Sequence, residues 1–387
     1  MADWKARIAR RGSWALVAGC MIVLAAASAP VFADFGGFSP PLLIASGNGP
    51  IEVVVGDLDG DGDLDIAAAN HWEHTIRIVK RHANGNFVAS GLYTTGNYPQ
   101  SITAGDFDAD GDLDLAVVGE YNNDFVFVHW NNGNGHFSTV ATFPTGGSPR
   151  SVASADVNGD GAPDLVVANR LPSTVSVLIS KGAASGFQAQ AVYPLGGAPS
   201  KVIAADLDRD GALDIAVACW GSNDVRILRN AGAGTFGNPM LVATDLMPYG
   251  VGAGDFDGDG HIDLATANFS NGTVSVLMGR PATRVSKIVF APAVHLPLVS
   301  YNLRAIVVDD FDRDGNDDIV AAEGWSTVHA LVGNGDGSFQ PPKIHAAGSQ
   351  PRGLASADVD GDGDRDLVVA NFGNSKVAVL TNLTTTR

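Results

Sequence analysis

One acidic nine-residue pattern recurs seven times at almost constant spacing, and that periodicity limits the folds open to this 387-residue chain more than any local propensity does. The first copy reads Asp57-Leu-Asp59-Gly-Asp61-Gly62-Asp63-Leu-Asp65. The others begin at Asp106, Asp156, Asp206, Asp255, Asp310 and Asp358, at intervals of 49, 50, 50, 49, 55 and 48 residues. In the third unit, Ser151 to Ala155 reads as a short strand before the loop and Asp164 to Ala168 as a β-branched strand after it. Val175 to Ile179 alternates as a third strand, and a fourth runs toward Tyr193. Four strands per fifty residues are the dimensions of a propeller blade, so the pattern predicts an all-β, seven-bladed β-propeller. No window carries sustained helical periodicity. The small residues of the first strands, as in Thr103 to Gly105 and Ala153 to Ala155, suit strands crowded round an axis.

The seventh unit stops after Val377 to Leu380 and lacks a fourth strand. Gly36 to Pro41 matches Gly337 to Pro342, which leads into the fourth strand of the sixth unit, so the N-terminal segment is expected to complete the last blade. Such closure leaves no sheet edge open.

Residues 1–33 read as an export signal. Lys5, Arg7, Arg10 and Arg11 precede an apolar run from Trp14 to Ala27, and Val31-Phe32-Ala33 ends it, with cleavage expected before Asp34. Val17 to Cys20 also resembles a lipoprotein box, and Arg10-Arg11 part of a twin-arginine signal. No second apolar span follows, so residues 34–387 are expected as one secreted, periplasmic or cell-surface domain, a monomer without a transmembrane segment. Once the signal is removed Cys219 is the sole cysteine, which excludes an internal disulfide and reads as a small buried hydrophobe. The formal net charge is −18; without the signal, 20 Lys and Arg oppose 41 Asp and Glu, giving −21, which excludes nucleic acid as a partner.

The acids are not scattered. Loop positions 1, 3, 5, 7 and 9 are Asp57, Asp59, Asp61, Asp63 and Asp65 in the first unit, Asp106, Asp108, Asp110, Asp112 and Asp114 in the second, and Asp156, Asn158, Asp160, Ala162 and Asp164 in the third. The fourth has Asp206, Asp208, Asp210, Ala212 and Asp214, and the fifth Asp255, Asp257, Asp259, His261 and Asp263. Asp310, Asp312, Asp314, Asn316 and Asp318 form the sixth, and Asp358, Asp360, Asp362, Asp364 and Asp366 the seventh. Oxygen donors on alternate residues of a turn converge on one point, and a hard cation such as calcium takes six to eight of them. Position 7 varies freely, which suits a main-chain ligand, and position 6 is always Gly, which allows a sharp reversal. An EF-hand is excluded because position 12 is Ala68, Val117, Val167, Val217, Thr266, Ala321 or Val369 where a bidentate Glu is required. A single Asp-Gly turn would mean only a hairpin. Seven in phase predict up to seven calcium ions, which would take −21 to −7.

These units resemble FG-GAP or VCBS repeats and are similar to the N-terminal propeller of integrin α subunits, over about residues 34 to 381; Phe236-Gly237 and Gly197 to Pro199 carry the characteristic letters. The stretch from Arg280 to Ser300 and the extra Asp317 depart from the pattern. The resemblance implies calcium loops on one face and partner binding on the other. That second face would hold Trp72, Tyr121, Trp220, Phe269, Trp325 and Phe372 in the turns between second and third strands. Interblade turns would add Tyr98, Arg150, Lys201, Tyr249, Tyr301, Arg304 and Arg352. The aromatics suit stacked sugars or a protein partner, and equally suit packing against the next blade. His71 and His74 could ligate a metal or simply belong to a solvated turn. No nucleophile or phosphate-loop motif is present. The expected function is a calcium-stapled binding or adhesion scaffold for an extracellular protein or glycan, with a lectin or a polysaccharide-acting enzyme such as a lyase as the alternatives.

Overall fold

The computed structural model describes residues 35–120, 124–182, 186–282, 287–298 and 301–384, all within one unit. The segment expected as an export signal and Tyr121 lie outside the described residues. Most blade strands are followed by a turn the sequence marks with Gly, Asn or Asp, and the strands pair as antiparallel four-stranded sheets. After β1 (Leu42–Ala45), blade 1 comprises β2 (Pro50–Gly56), β3 (Asp65–Asn70), β4 (Thr75–Arg81) and β5 (Phe87–Thr94). Blade 2 holds β6 (Pro99–Gly105), β7 (Asp114–Gly119), β8 (Phe125–Trp130) and β9 (Thr139–Pro144). In blade 3 these are β10 (Pro149–Ala155), β11 (Asp164–Asn169), β12 (Thr174–Leu178) and β13 (Ala191–Pro194). Blade 4 runs through β14 (Pro199–Ala205), β15 (Asp214–Cys219), β16 (Asp224–Leu228) and β17 (Met240–Ala243).

Blade 5 has β18 (Pro248–Gly254), β19 (Asp263–Asn268) and β20 (Thr273–Leu277), then a two-stranded insertion of β21 (Gly279–Arg280) with β22 (Val289–Phe290), then β23 (Val294–Pro297). The insertion accounts for the 55-residue interval. Blade 6 is regular, with β24 (Leu303–Asp309), β25 (Asp318–Glu323), β26 (Thr327–Leu331) and β27 (Lys343–Ala346). In blade 7, β28 (Pro351–Ala357), β29 (Asp366–Asn371) and β30 (Lys376–Leu380) are completed by β1, with Leu42 opposite Val379 and Ala45 opposite Lys376. The sequence match that foretold this closure is exact in geometry: Phe38 bridges Asn382 as Phe339 bridges Gly333.

The innermost strands β2, β6, β10, β14, β18, β24 and β28 each pack against their two neighbours, and β28 against β2, so the ring closes. The second strands are buried along nearly their whole length, which is why they read as continuous apolar runs. Seven apolar clusters fill the seven junctions between blades. Cys219 is one of these core residues, fully buried between blades 3 and 4, and burial pushes its thiol up to about 12.

Candidate metal centres and the opposite face

Each acidic loop joins the first strand of its blade to the second. The same backbone pattern holds in all seven. The position 6 N–H donates to Oδ2 of position 1, as Gly161 does to Asp156 at 2.8 Å, and the position 7 N–H donates to Oδ1 of position 5, as Ala162 does to Asp160 at 2.9 Å. These bonds need the left-handed backbone at position 6, where every glycine has positive φ (Gly161, 89°). Position 4 is left-handed as well, and there Ala109, Arg209 and Arg313 accept it without being glycine (φ 60°, 61° and 61°).

Position 9 behaves differently from positions 1, 3 and 5. In every blade it opens the second strand, buried, and both of its oxygens already accept backbone N–H groups. Asp114 takes those of Phe107 at 3.0 Å and Asn131 at 2.8 Å, and Asp214 those of Leu207 at 3.1 Å and Asn230 at 2.7 Å. One carboxylate thus ties the loop to the exit of the third strand. Burial, reinforced by neighbouring carboxylates and opposed by these hydrogen bonds, raises the position 9 acids from 3.8. Asp65, Asp164, Asp214 and Asp263 reach about 6, Asp114 and Asp366 about 7 and Asp318 about 8.

Among the described residues, sets such as Asp57, Asp59 and Asp61, or Asp310, Asp312 and Asp318, bring three carboxylate oxygens within 4.8 Å of one another. Buried oxygens of Asp59, Asp208 and Asp255 have no hydrogen-bond donor at all. An all-oxygen set with orphaned buried acceptors fits a hard cation. The loops are not equivalent, however. Lys80 reaches Asp59, Arg229 reaches Asp208 and Asp210, Arg280 reaches Asp257 at 2.8 Å, and Arg313 crosses from the sixth loop to Asp364 at 2.8 Å. Loops two and three show no such internal cation among the described residues.

At the other end of the ring, each inner strand carries a β-bulge one residue after its start. The residues left unpaired are Ile51, Gln100, Arg150, Ser200, Tyr249, Arg304 and Arg352, and all seven line one crevice of about 70 Å³ on the axis. A bulge re-aims a side chain that regular pairing would direct into the sheet. Two wider depressions adjoin it: about 580 Å³ beside Trp72, Tyr98 and Phe372, and about 300 Å³ beside Trp220, Met247 and Phe269. The aromatic rim is mixed: Trp72 is 52% exposed and Trp325 62%, whereas Trp220, Phe269 and Phe372 are half-buried; Trp72 lies 6.0 Å from Phe372 and Tyr249 6.0 Å from Phe269, centroid to centroid. His71 is buried and its Nδ1 lies 3.2 Å from the Pro99 carbonyl, whereas His74 accepts the Tyr98 N–H at 2.8 Å; both histidines brace the interblade turn.

Acidic loops and an axial mouth on a sevenfold all-β ring define a repeat propeller. Residues 57–117, 106–167, 156–217, 206–266 and 310–369 each match the FG-GAP-like repeat, and the chain belongs to that family. No curated protein matches it by sequence. Among solved structures it is similar to BBS1N crystallised in complex with ARL6DN, at 13% identity and TM-score 0.65, covering 90% of this chain and 98% of that one. It is also similar to a catalytically inactive virginiamycin B lyase from Staphylococcus aureus with quinupristin, at 13% identity and TM-score 0.56, covering 89% and 99%. These likenesses concern the fold.

Proposed function

We propose that the chain is an exported propeller stapled by calcium and acting as a binding or adhesion scaffold for an extracellular protein or glycan. The buried, donorless oxygens of Asp59, Asp208 and Asp255 carry the metal reading, because an orphaned buried acceptor costs about 1–3 kcal/mol and a cation removes that cost. Calcium suits loops built only from oxygen donors, with carboxylates at positions 1, 3 and 5 as ligands and position 9 holding the loop in place while lending charge. Chain export supports the choice, since millimolar calcium outside the cell fills even weak sites. The propellers of BBS1 and of virginiamycin B lyase were crystallised with a protein and with a small molecule respectively, so both kinds of partner suit this architecture. Among the described residues no helix is long and apolar enough to cross a membrane.

The test is thermal unfolding with excess calcium and after chelation, with a metal count per chain. Each site held at a hundred times its Kd adds about 2.7 kcal/mol, so chelation lowers Tm strongly. Little bound calcium and an unchanged melting curve would overturn the reading.

A further inference from the structure

The axial mouth gathers cations on a chain whose formal net charge is −18. Three of its seven bulge residues are arginines and none is acidic. Arg150 has a counter-charge in Glu120 and donates as well to the Tyr249 hydroxyl. Glu120 also takes Arg170, at 3.2 Å, and Glu52 takes Lys201. Both nearby acids are thereby engaged. Arg304 and Arg352 stand on adjacent blades, half-buried, and neither forms an ion pair or hydrogen bond with another described residue. What they do touch covers their flat faces: Arg304 lies 4.8 Å from the Phe269 centroid and Arg352 4.1 Å from that of Phe372. Such stacking holds a guanidinium in one orientation and leaves its N–H edge free for a bidentate anion. Burial and the neighbouring arginines pull both groups from 12.5 down to about 10, as expected of cations held without a counter-ion.

The surroundings narrow the kind of anion. The axial crevice and both wider depressions share Arg150, so they form one trough across the mouth, with Trp72 and Phe372 at one end and Trp220 and Phe269 at the other. An exposed Trp72, with half-buried aromatic rings beside fixed cations, suits the apolar face of a sugar ring next to its own charged substituent.

We propose that this trough binds an acidic polysaccharide, with a carboxylate or sulfate held by Arg304 and Arg352 and neighbouring sugar rings against the flanking aromatics. The proposal rests on the binding-scaffold reading and names its partner.

The test is calorimetric titration of the calcium-loaded full chain with short oligogalacturonate, a sulfated oligosaccharide, an uncharged dextran oligosaccharide and an oligoglutamate peptide. Binding of either acidic sugar, weakening with salt and absent for dextran, is expected, and the two acidic arms decide between carboxylate and sulfate. The double variant Arg304→Gln/Arg352→Gln should bind about tenfold more weakly or less, as loss of central arginine contacts does, while Lys181→Gln, an exposed lysine on a β12–β13 turn, should bind as the wild type does. The double variant should melt no lower than wild type, since it relieves crowded cations; a marked fall in Tm would make the arginines structural and overturn the site. Equal binding of oligoglutamate, or no binding of either acidic sugar, would overturn it too. Calcium content is measured on the same samples: calcium present with no sugar bound defeats only this proposal, whereas absent calcium defeats the scaffold reading.

Discussion

Asp366 accepts the backbone N–H of Asn382 at 2.7 Å, and Asn382 in turn donates its side-chain amide to the Phe311 carbonyl at 2.6 Å in the neighbouring blade. The same bridge recurs where the residue leaving the third strand is asparagine: Asn131 reaches the Leu58 carbonyl at 2.8 Å and Asn230 that of Val157 at 2.7 Å. Three acidic loops are thus tied to the preceding loop through buried amides that no cation replaces. Asn230→Ala strands the carbonyls of Val157 and Leu213 and should cost about 1–3 kcal/mol, as buried polar groups without partners do. Urea unfolding in the presence of chelator checks it, and a loss seen only with calcium would contradict it.

Arg229 occupies the fourth loop through Asp208 and Asp210, and a metal must displace it. Arg229→Ala should therefore tighten calcium at that loop severalfold, while loops two and three, which have no internal cation among the described residues, fill first in the native chain. Stepwise titration followed by calorimetry reads the order.

The left-handed turn at position 6 makes a purely backbone demand. A Cβ on Gly161 would meet no atom within 4 Å, yet its φ is 89°. Gly161→Ala should lose about 1–2 kcal/mol, the ordinary cost of this conformation for an L-residue. Ala109, at φ 60°, sits within the left-handed well that an L-residue can reach, whereas Gly161 at 89° lies beyond it, so the methyl is tolerated at one position of the loop and strained at the other. Equilibrium unfolding of Gly161→Ala, with the metal chelated, measures it.

Stability should depend on pH in opposite senses with and without calcium. The position 9 acids have folded pKa values above the ordinary 3.8, up to about 8 for Asp318, so in chelator the folded state holds more protons and gains stability as pH falls from 8. Buried His129, pulled down to about 4 from 6.5, acts the other way, as do His71, His329 and His345, which burial also lowers, and their effect falls mostly below 6.5. The chelated protein should therefore melt higher at pH 6.5 than at pH 8. With calcium bound the carboxylates are held ionised, and acid then competes with the metal, so the rise should vanish or reverse. Paired melting curves at the two pH values decide it.

Residue types repeating in phase made much of this readable from sequence alone. The seven loops, the four strands per blade and the closing match between Gly36 to Pro41 and Gly337 to Pro342 are all carried by side chains. Backbone features were hidden. Nothing in Pro149-Arg150 or Leu303-Arg304 declares a bulge, because the extra residue shows only against its partner strand; the residue after Pro, repeated six times, was the available signal. Position 4 was masked in a similar way, since Ala109, Arg209 and Arg313 interrupt the glycines that elsewhere mark a left-handed turn. Position 9 looks like a fifth ligand in sequence, and its anchoring role emerges only from the strands it joins.

Closure by β1 also dictates when the molecule can exist. Leu42 finds Val379 only after the six blades between them have been made, and the ring lacks a complete seventh blade until then. Contacts this distant along the chain form slowly. The clasp therefore makes the seventh blade the last to be completed and the step on which closure of the whole ring waits.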